Sequence, residues 1–215
     1  MGPVVAAFTR AGYGNSARWR AAASNVAPPD RPDLHPLLRE RRSVRTYDPA
    51  HALADDELGA LLDAARWAPS AGNSQPWAFL VGRRGDDAHQ RFVALLAPSV
   101  RRWAPDASAL VFALHQVASG PEPEALLYSD YAAYDLGQAV AHLSVQAVAL
   151  GLSTHQFAAF DHAGLAAACE VPPHWSVTTG IAVGRGLVSE IAPRTRRPLA
   201  EVAYAGRFGA PVLPG

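Results

Sequence analysis

One segment constrains the rest of the chain more than any other. From about Tyr131 to Leu150, the residues Leu136, Val140, Leu143, Ala147 and Leu150 fall at helical spacing and mark one apolar face. Asp130, Tyr134, Gln138, His142 and Gln146 recur at every fourth position and form a polar stripe, and Gly151 is placed to end the helix. A helix with one apolar face buries that face against something else. The segments around it read as short helices and strands, and no internal repeat appears.

Before the long helix, Leu34, Leu37 and Leu38 suggest a short helix running into Arg41-Arg42-Ser43. Asp55 is placed to cap a second helix, with Asp55-Asp56-Glu57 in its first turn and Leu58, Leu61, Leu62 and Ala65 at helical spacing. Trp77 to Val81 alternates like a strand, Asp87 to Leu96 reads as a helix, and Leu110 to Leu114 as a buried strand. A polar, proline-rich loop covers Gln116 to Glu124. After the long helix, the spacing predicts a strand over Ser153–Phe157, a helix over Asp161–Cys169 and a strand over Val177–Val183. Helices and strands mix without clean βαβ alternation, which indicates α+β rather than a doubly wound sheet.

The expected organisation is a poorly structured arm over residues 1–33, one domain over 34–209 and a short tail over 210–215. The arm ends in Pro28-Pro29-Asp30-Arg31-Pro32-Asp33. The region from Arg194 on is rich in proline and carries Leu199, Val202, Tyr204 and Phe208 without periodicity, so it is expected to lie extended on a partner subunit.

Composition narrows the chemistry. Of 215 residues, 49% are apolar and 18% charged, enough for a sizeable core and too apolar for global disorder. All nineteen basic residues are arginine, and nineteen acidic residues balance them. A chain without lysine has no Lys Schiff base, no pyridoxal-phosphate lysine and no P-loop lysine. The neutral balance counts against a dedicated nucleic-acid binder. Cys169 is the one cysteine, which excludes an intrachain disulfide and a cysteine-rich metal site. The eight histidines are scattered, with no metal-ligand spacing, so no metal is expected. Met1 to Ala27 lacks the continuous apolar core of a signal peptide, and no run of about 18 apolar residues occurs, so a cytoplasmic protein without membrane contact is expected.

Two arginine clusters stand out: Arg39, Arg41, Arg42 and Arg45 near the start, and Arg194, Arg196 and Arg197 near the end. Guanidinium forks suit phosphate oxygens, and Ser43 adds a hydroxyl donor. The other reading is two solvated surface patches. A second feature is the loop Ala68-Pro69-Ser70-Ala71-Gly72-Asn73-Ser74-Gln75-Pro76-Trp77, whose amides suit the polar edge of a flat heterocycle or an ordinary turn.

Taken in order, these pieces resemble the FMN-dependent nitroreductase family. The resemblance rests on Arg41-Arg42-Ser43-Val44-Arg45, the 68–77 loop, Ala149-Leu150-Gly151-Leu152, Phe160-Asp161, Ile181-Ala182-Val183-Gly184 and Arg194-Thr195-Arg196-Arg197-Pro198-Leu199. It covers about Leu37 to Gly209. It implies a nitroreductase-like α+β fold with a central mixed, mostly antiparallel sheet, built into an intertwined homodimer with two FMN molecules at the interface.

The resemblance also implies a cofactor site. Arg41, Ser43 and Arg45 would approach the FMN phosphate, ribityl chain and ring edge, with Arg42 adjoining and Arg194 and Arg196 closing over the phosphate. Members often have Lys at one or two of these places. Pro69, Ser70, Ala71, Asn73 and, more weakly, Gln75 would come from the other subunit to the isoalloxazine. Ala158 and Ala159 would run past the flavin and offer a backbone N–H to N5.

The implied activity is hydride transfer from NAD(P)H through FMN to a nitroaromatic, quinone or similar electrophile, by ping-pong kinetics, with no side chain assigned as catalytic. Two departures bear on it. Ala159 stands where members commonly have Gly, and Ala158 stands where some carry an acidic residue beside the nicotinamide. Alternatives are a flavoenzyme of the same fold with another reaction (dehydrogenation, dehalogenation, or a natural-product or cofactor step) and a non-catalytic flavin-binding module. Asp130, Tyr131 and Tyr134 are candidates for gating the pocket. Gly12-Tyr13-Gly14-Asn15-Ser16-Ala17 mimics a dinucleotide-binding turn but lacks the βαβ unit that turn requires. Cys169 with His174 reads as a buried helix thiol rather than a nucleophile pair.

Overall fold

The computed structural model describes residues 34–187 and 195–213. Residues 1–33, including Gly12–Ala17, and Arg194 lie outside the described residues. By their contacts, residues 1–36 and 37–215 form separate units; the larger one carries the features below.

Six helices and four strands are described. In chain order they are α1 (Pro36–Glu40), α2 (Asp55–Arg66), β1 (Trp77–Arg83), α3 (Asp87–Ala94), α4 (Pro98–Arg101), β2 (Ala109–Gln116), α5 (Ala132–Ala149), β3 (Ser153–Phe157), α6 (His162–Ala168) and β4 (Trp175–Gly184). The strands form one sheet in the order β1-β2-β4-β3, and all three pairings are antiparallel. This is the α+β arrangement that the mixed order of elements indicates. None of the described helices is long and apolar enough to cross a membrane.

Helices cover both faces of the sheet, which is why β2 reads as an unbroken apolar run. On one face Ala109, Val111 and Ala113 of β2, with Ile181 and Val183 of β4, meet Leu61 and Ala65 of α2 and Leu136, Val140, Leu143 and Ala147 of α5. On the other, Leu110, Phe112 and Leu114 meet Phe92 of α3, Val100 of α4 and Leu165 of α6. Phe112 is the centre of that second core. Phe92 and Phe160 meet it edge-on at 4.9 Å each, and Phe157 at 5.9 Å. The apolar face predicted for α5 is the buried one, while Tyr134 and His142 of the polar stripe are exposed.

Strand register at the end of β3 depends on one small residue. Phe157 pairs with Gly180, and a Cβ on Gly180 would lie within 2.4 Å of two atoms of the Phe157 ring. The ring fills the place a side chain would take.

Three expectations are corrected. Ala54 holds the cap position of α2, and Asp55 is the first helical residue; the cap bond runs from the Ala54 N–H to the Glu57 carboxylate at 2.9 Å. Glu57 reaches back over the turn, so the acidic run works one residue later than its spacing suggests. The strands extend beyond their apolar cores, to Arg83 in β1 and from Trp175 in β4, because neighbouring strands pair with those polar ends. Finally, residues 203–212 close into a turn rather than running extended. Tyr204 bridges Pro211, the Val212 N–H donates to the Ala203 carbonyl at 3.2 Å, and the Tyr204 and Phe208 rings pack at 4.5 Å.

Candidate functional site

The chain leaves α1 and runs from Arg41 to Tyr47 beside the end of β4. Tyr47 bridges Gly186, and the Leu187 N–H donates to the Thr46 carbonyl at 2.9 Å. Two side chains anchor this segment inward. Val44 is buried, and Tyr47, 2% exposed, donates its hydroxyl to the Ala182 carbonyl at 3.2 Å. Burial pushes the Tyr47 phenol well above its ordinary pKa, so it stays a neutral donor. With Val44 held inside, Ser43 and Arg45 on either side of it are exposed.

The arginines at this corner crowd one another. Arg41 donates through Nη1 to the Ser43 hydroxyl at 3.4 Å. Arg42 donates through Nη1 to the Arg39 carbonyl at 2.5 Å, and its Nε is buried with no partner among the described residues. Burial, then the charges of Arg196 and Arg42, hold the Arg41 guanidinium below its ordinary pKa. Arg196 is therefore within electrostatic reach of Arg41 although 155 positions separate them in sequence. Arg196 itself is exposed. Clustered guanidinium groups, with a buried N–H lacking an acceptor among the described residues, make a site that favours a multiply charged oxyanion.

His155 on β3 belongs to the same corner, and spacing alone does not single it out. Its Nδ1 donates to the Val44 carbonyl at 2.8 Å, and its ring lies against Trp103 at 4.4 Å. Burial lowers its pKa; the bond to Val44 opposes this, and the charges of Arg45 and Arg41 lower it further. A histidine in a strand beside a predicted arginine segment has no local signature, because only the β3–β4 pairing and the 44–47 crossing bring them together.

The 69–75 loop is exposed apart from a half-buried Ser70, yet it is tightly specified. Gly72, Asn73 and Gln75 have φ of 60°, 55° and 50°, a conformation that costs a non-glycine residue roughly 1 kcal/mol or more. Three bonds hold it. The Gln75 N–H donates to the Ser70 hydroxyl at 2.9 Å, the Asn73 N–H to the Ser70 carbonyl at 2.9 Å, and the Ala71 N–H to the Asp135 carboxylate at 3.0 Å. Asp135 is 2% exposed in the first turn of α5 and also accepts from the Gln138 amide at 3.4 Å. The long helix thus pins the loop through a carboxylate that its apolar pattern does not reveal.

Ala158 and Ala159 leave the end of β3 and are exposed. The Ala159 carbonyl accepts from the Ala97 N–H at 3.0 Å. The ring of His162, stacked on Phe160 at 3.8 Å, faces the Ala158 carbonyl through Nε2 at 3.1 Å and the Val177 carbonyl through Nδ1 at 2.9 Å. Ala159 is not among the residues with positive φ, so its methyl sits without backbone strain where a glycine is expected.

Within one chain these pieces do not all meet. His155 lies in the row Gly82–Leu110–Ala182–His155 across the sheet. Trp77, at the end of the 69–75 loop, is three strand spacings and five residues away, or about 14 Å across and 16 Å along, near 21 Å in all. The arginine corner and the 158–159 segment both adjoin β3; the loop leads into β1 at the opposite edge of the sheet.

The nitroreductase family model matches residues 38–185. The chain belongs to the nitroreductase family. Protein DrgA of Synechocystis is 27% identical over 191 residues, 77% of this chain and 89% of that protein. The major NAD(P)H-flavin oxidoreductase of Aliivibrio fischeri is 38% identical over 60 residues, 26% of this chain and 27% of that protein. A solved structure of an oxidoreductase containing FMN aligns with a TM-score of 0.75 and 31% identity, covering 87% of this chain and 98% of that one.

The chain has no lysine, so every Lys/Arg-type cation at this corner is an arginine. Arg41, Arg42, Ser43 and Arg45 share the segment beside the end of β4, Arg196 lies within electrostatic reach of Arg41, and Ala158 and Ala159 follow the end of β3. Pro69, Ser70, Ala71, Asn73 and Gln75 form a separate exposed loop. Tyr131 and Tyr134 are exposed, with ring centres 6.4 Å apart. Cys169 caps the end of α6, where burial pushes its thiol up and so keeps it protonated against the opposing charge of Arg91.

Proposed function

We propose that the chain is an FMN-dependent oxidoreductase that takes a hydride from NAD(P)H and delivers it to nitroaromatic, quinone or similar electrophilic acceptors. The observation that carries this reading is the convergence of Arg41 and Arg196 on one corner, with the Arg42 Nε buried and unpartnered beside them. This donor set fits a phosphate monoester: several guanidinium forks, one hydroxyl and an N–H awaiting an acceptor. The FMN held by a relative of 31% identity supports the same group here.

Arg41, Arg42, Ser43, Arg45 and Arg196, with Arg194, would hold the phosphate and ribityl chain. Ala158 and Ala159, further along the β3 edge, would lie beside the ring, and a backbone N–H there would face N5. When bound, FMN supplies a two-electron carrier that donor and acceptor reach in turn, a ping-pong scheme. The chain's own work is positioning, exclusion of water and positive charge, which favours the anionic reduced flavin.

The 69–75 loop would complete the site from a second copy. Two features support a homodimer: the 69–75 loop and β3 stand at opposite edges of the sheet within one chain, and large apolar side chains are left uncovered on a single copy, among them Trp67 at 72% and Leu127 at 89% exposure. A preformed, exposed loop under backbone strain suits insertion into a partner better than it suits solvent.

The test is an absorbance spectrum of the purified protein followed by anaerobic titration. Bound flavin that bleaches with NADH or NADPH and reoxidises with a nitrofuran or quinone is expected. Flavin that no nicotinamide reduces would leave a binding module instead. Size-exclusion chromatography should give twice the 22.7 kDa chain mass. Arg196→Ala removes one charge-assisted contact of about 1.5–3 kcal/mol, so FMN retention should fall roughly ten- to hundredfold. Arg83→Ala, which breaks an exposed pair with Asp55 at 2.6 Å, should leave it unchanged.

A further inference from the structure

The histidine beneath the arginine corner has no part in the reading above. His155 is tied to the carbonyl of Val44, the residue between Ser43 and Arg45, by a 2.8 Å bond from Nδ1. Its ring is backed by Trp103 at 4.4 Å. The charged groups that act on it are Arg45 and Arg41, from the segment crossing the end of β4. Its strand neighbours Ser153, Thr154, Gln156 and Phe157 are uncharged, as is its β4 partner Ala182. On the Trp103 side, Arg101 is spent on the carbonyls of Val93, Ala94 and Leu96.

Given the FMN reading, on which this step rests, we infer that His155 takes up a proton when the arginine corner binds a phosphate, so that it becomes an added positive charge of the loaded site and links flavin affinity to pH. The tautomer is set by the geometry: Nδ1–H faces the Val44 carbonyl, which leaves Nε2 as the atom that gains the proton. Without a phosphate, burial and the two arginines hold the ring neutral below its usual range. A bound phosphate dianion cancels the field of Arg41 and Arg45 and reverses their part of that lowering. Between the free and loaded midpoints, binding draws one proton from solvent, and the complex tightens as pH falls. The phosphate has its own second ionisation near pH 6, and its monoanion suits arginines less well, so it acts in the opposite sense. That contribution is the same for any residue at position 155.

The experiment is FMN binding followed by fluorescence quenching between pH 5.5 and 8.0, for the native chain and for His155→Asn. Asparagine keeps a donor toward the Val44 carbonyl and cannot titrate. The native-to-variant affinity ratio should rise about threefold or more as pH falls across this range, since a midpoint that moves by half a pH unit on binding changes affinity about threefold. Riboflavin, which lacks the phosphate, should give a flat ratio. A flat FMN ratio overturns the inference and leaves the functional reading standing. A sloping riboflavin ratio also overturns it, because the proton would then answer to the ring. No FMN binding at any pH overturns the functional reading and this inference together. Should the variant fold poorly, imidazole NMR of the native chain decides: the His155 midpoint must rise on saturation with FMN, and an unchanged or lower midpoint refutes the proposal.

Discussion

Removing the Asp135 carboxylate should cost stability out of proportion to its two contacts. The side chain is 2% exposed, accepts the Ala71 N–H at 3.0 Å and sits in the first turn of α5. A hydrogen bond to a charged group contributes about 1.5–3 kcal/mol. Ala71 is exposed, so its N–H regains water in the variant and the lower end applies. The Gln138 contact at 3.4 Å is long and adds little. Interaction with the helix N-terminus adds roughly 0.3–1 kcal/mol, and relief from burying a charge works against the sum. The net is about 2 kcal/mol for Asp135→Ala, a fall in Tm of about 4–8 °C at this chain length. Asp135→Asn, which keeps the shape and one acceptor oxygen, should lose about half as much. The comparison is Asp63→Ala, whose partner Arg66 lies at 2.6 Å with both side chains exposed; such pairs are worth about 0–1 kcal/mol. Differential scanning fluorimetry on the variants in one buffer reads all of this. If Asp135→Ala melts within 1 °C of the native chain, or no lower than Asp63→Ala, the carboxylate does not pin the loop.

Three further outcomes follow from the same reasoning. Gly180→Ala sets a methyl into the Phe157 ring and should destabilise by about 1–3 kcal/mol by overpacking, read as a lower urea midpoint. Tyr47→Phe leaves the Ala182 carbonyl without its donor in the core and should cost about 1 kcal/mol, a Tm loss of about 2–4 °C. Burial chiefly lowers the pKa of His89, His115 and His155 in the fold. An unfolded chain protonates these near pH 6.5 while the native one resists, so stability should hold above about pH 7 and decline with acidification through pH 6. A Tm at pH 5.5 equal to that at pH 7.5 would refute that linkage.

The sequence pattern reveals what repeats and what is local. β3 matches its predicted bounds to the residue, and the apolar faces of α2 and α5 are the buried ones, because a 3.6- or 2-residue period records which side meets the core. The two arginine clusters suggest a shared phosphate site or two surface patches, and no period decides between them because the positions lie so far apart. The partners of Asp135 and His155 are not legible in the sequence. A buried carboxylate within an otherwise apolar helix, and a histidine in a strand, acquire meaning from partners in other elements: the Ala71 N–H and the Val44 carbonyl. The cap of α2 slipped by one residue because Asp and Glu are both good first-turn residues, and only the reach of Glu57 decides between them.

The lock between Phe157 and Gly180 has a consequence for how this chain can vary. Positions 112, 157 and 180 fill one another's space, so a change at any of them must be matched at the others. One residue further on, Ala158 and Ala159 face outward on unstrained backbone, and their methyls are met by no such fit. Inheritance therefore meets a sharp boundary between 157 and 158, closed to drift on one side and open on the other. New specificities can be sampled at 158 and 159 while the strand that presents them stays fixed, and a saturation library across 157–159 should step from intolerance to tolerance within a single position.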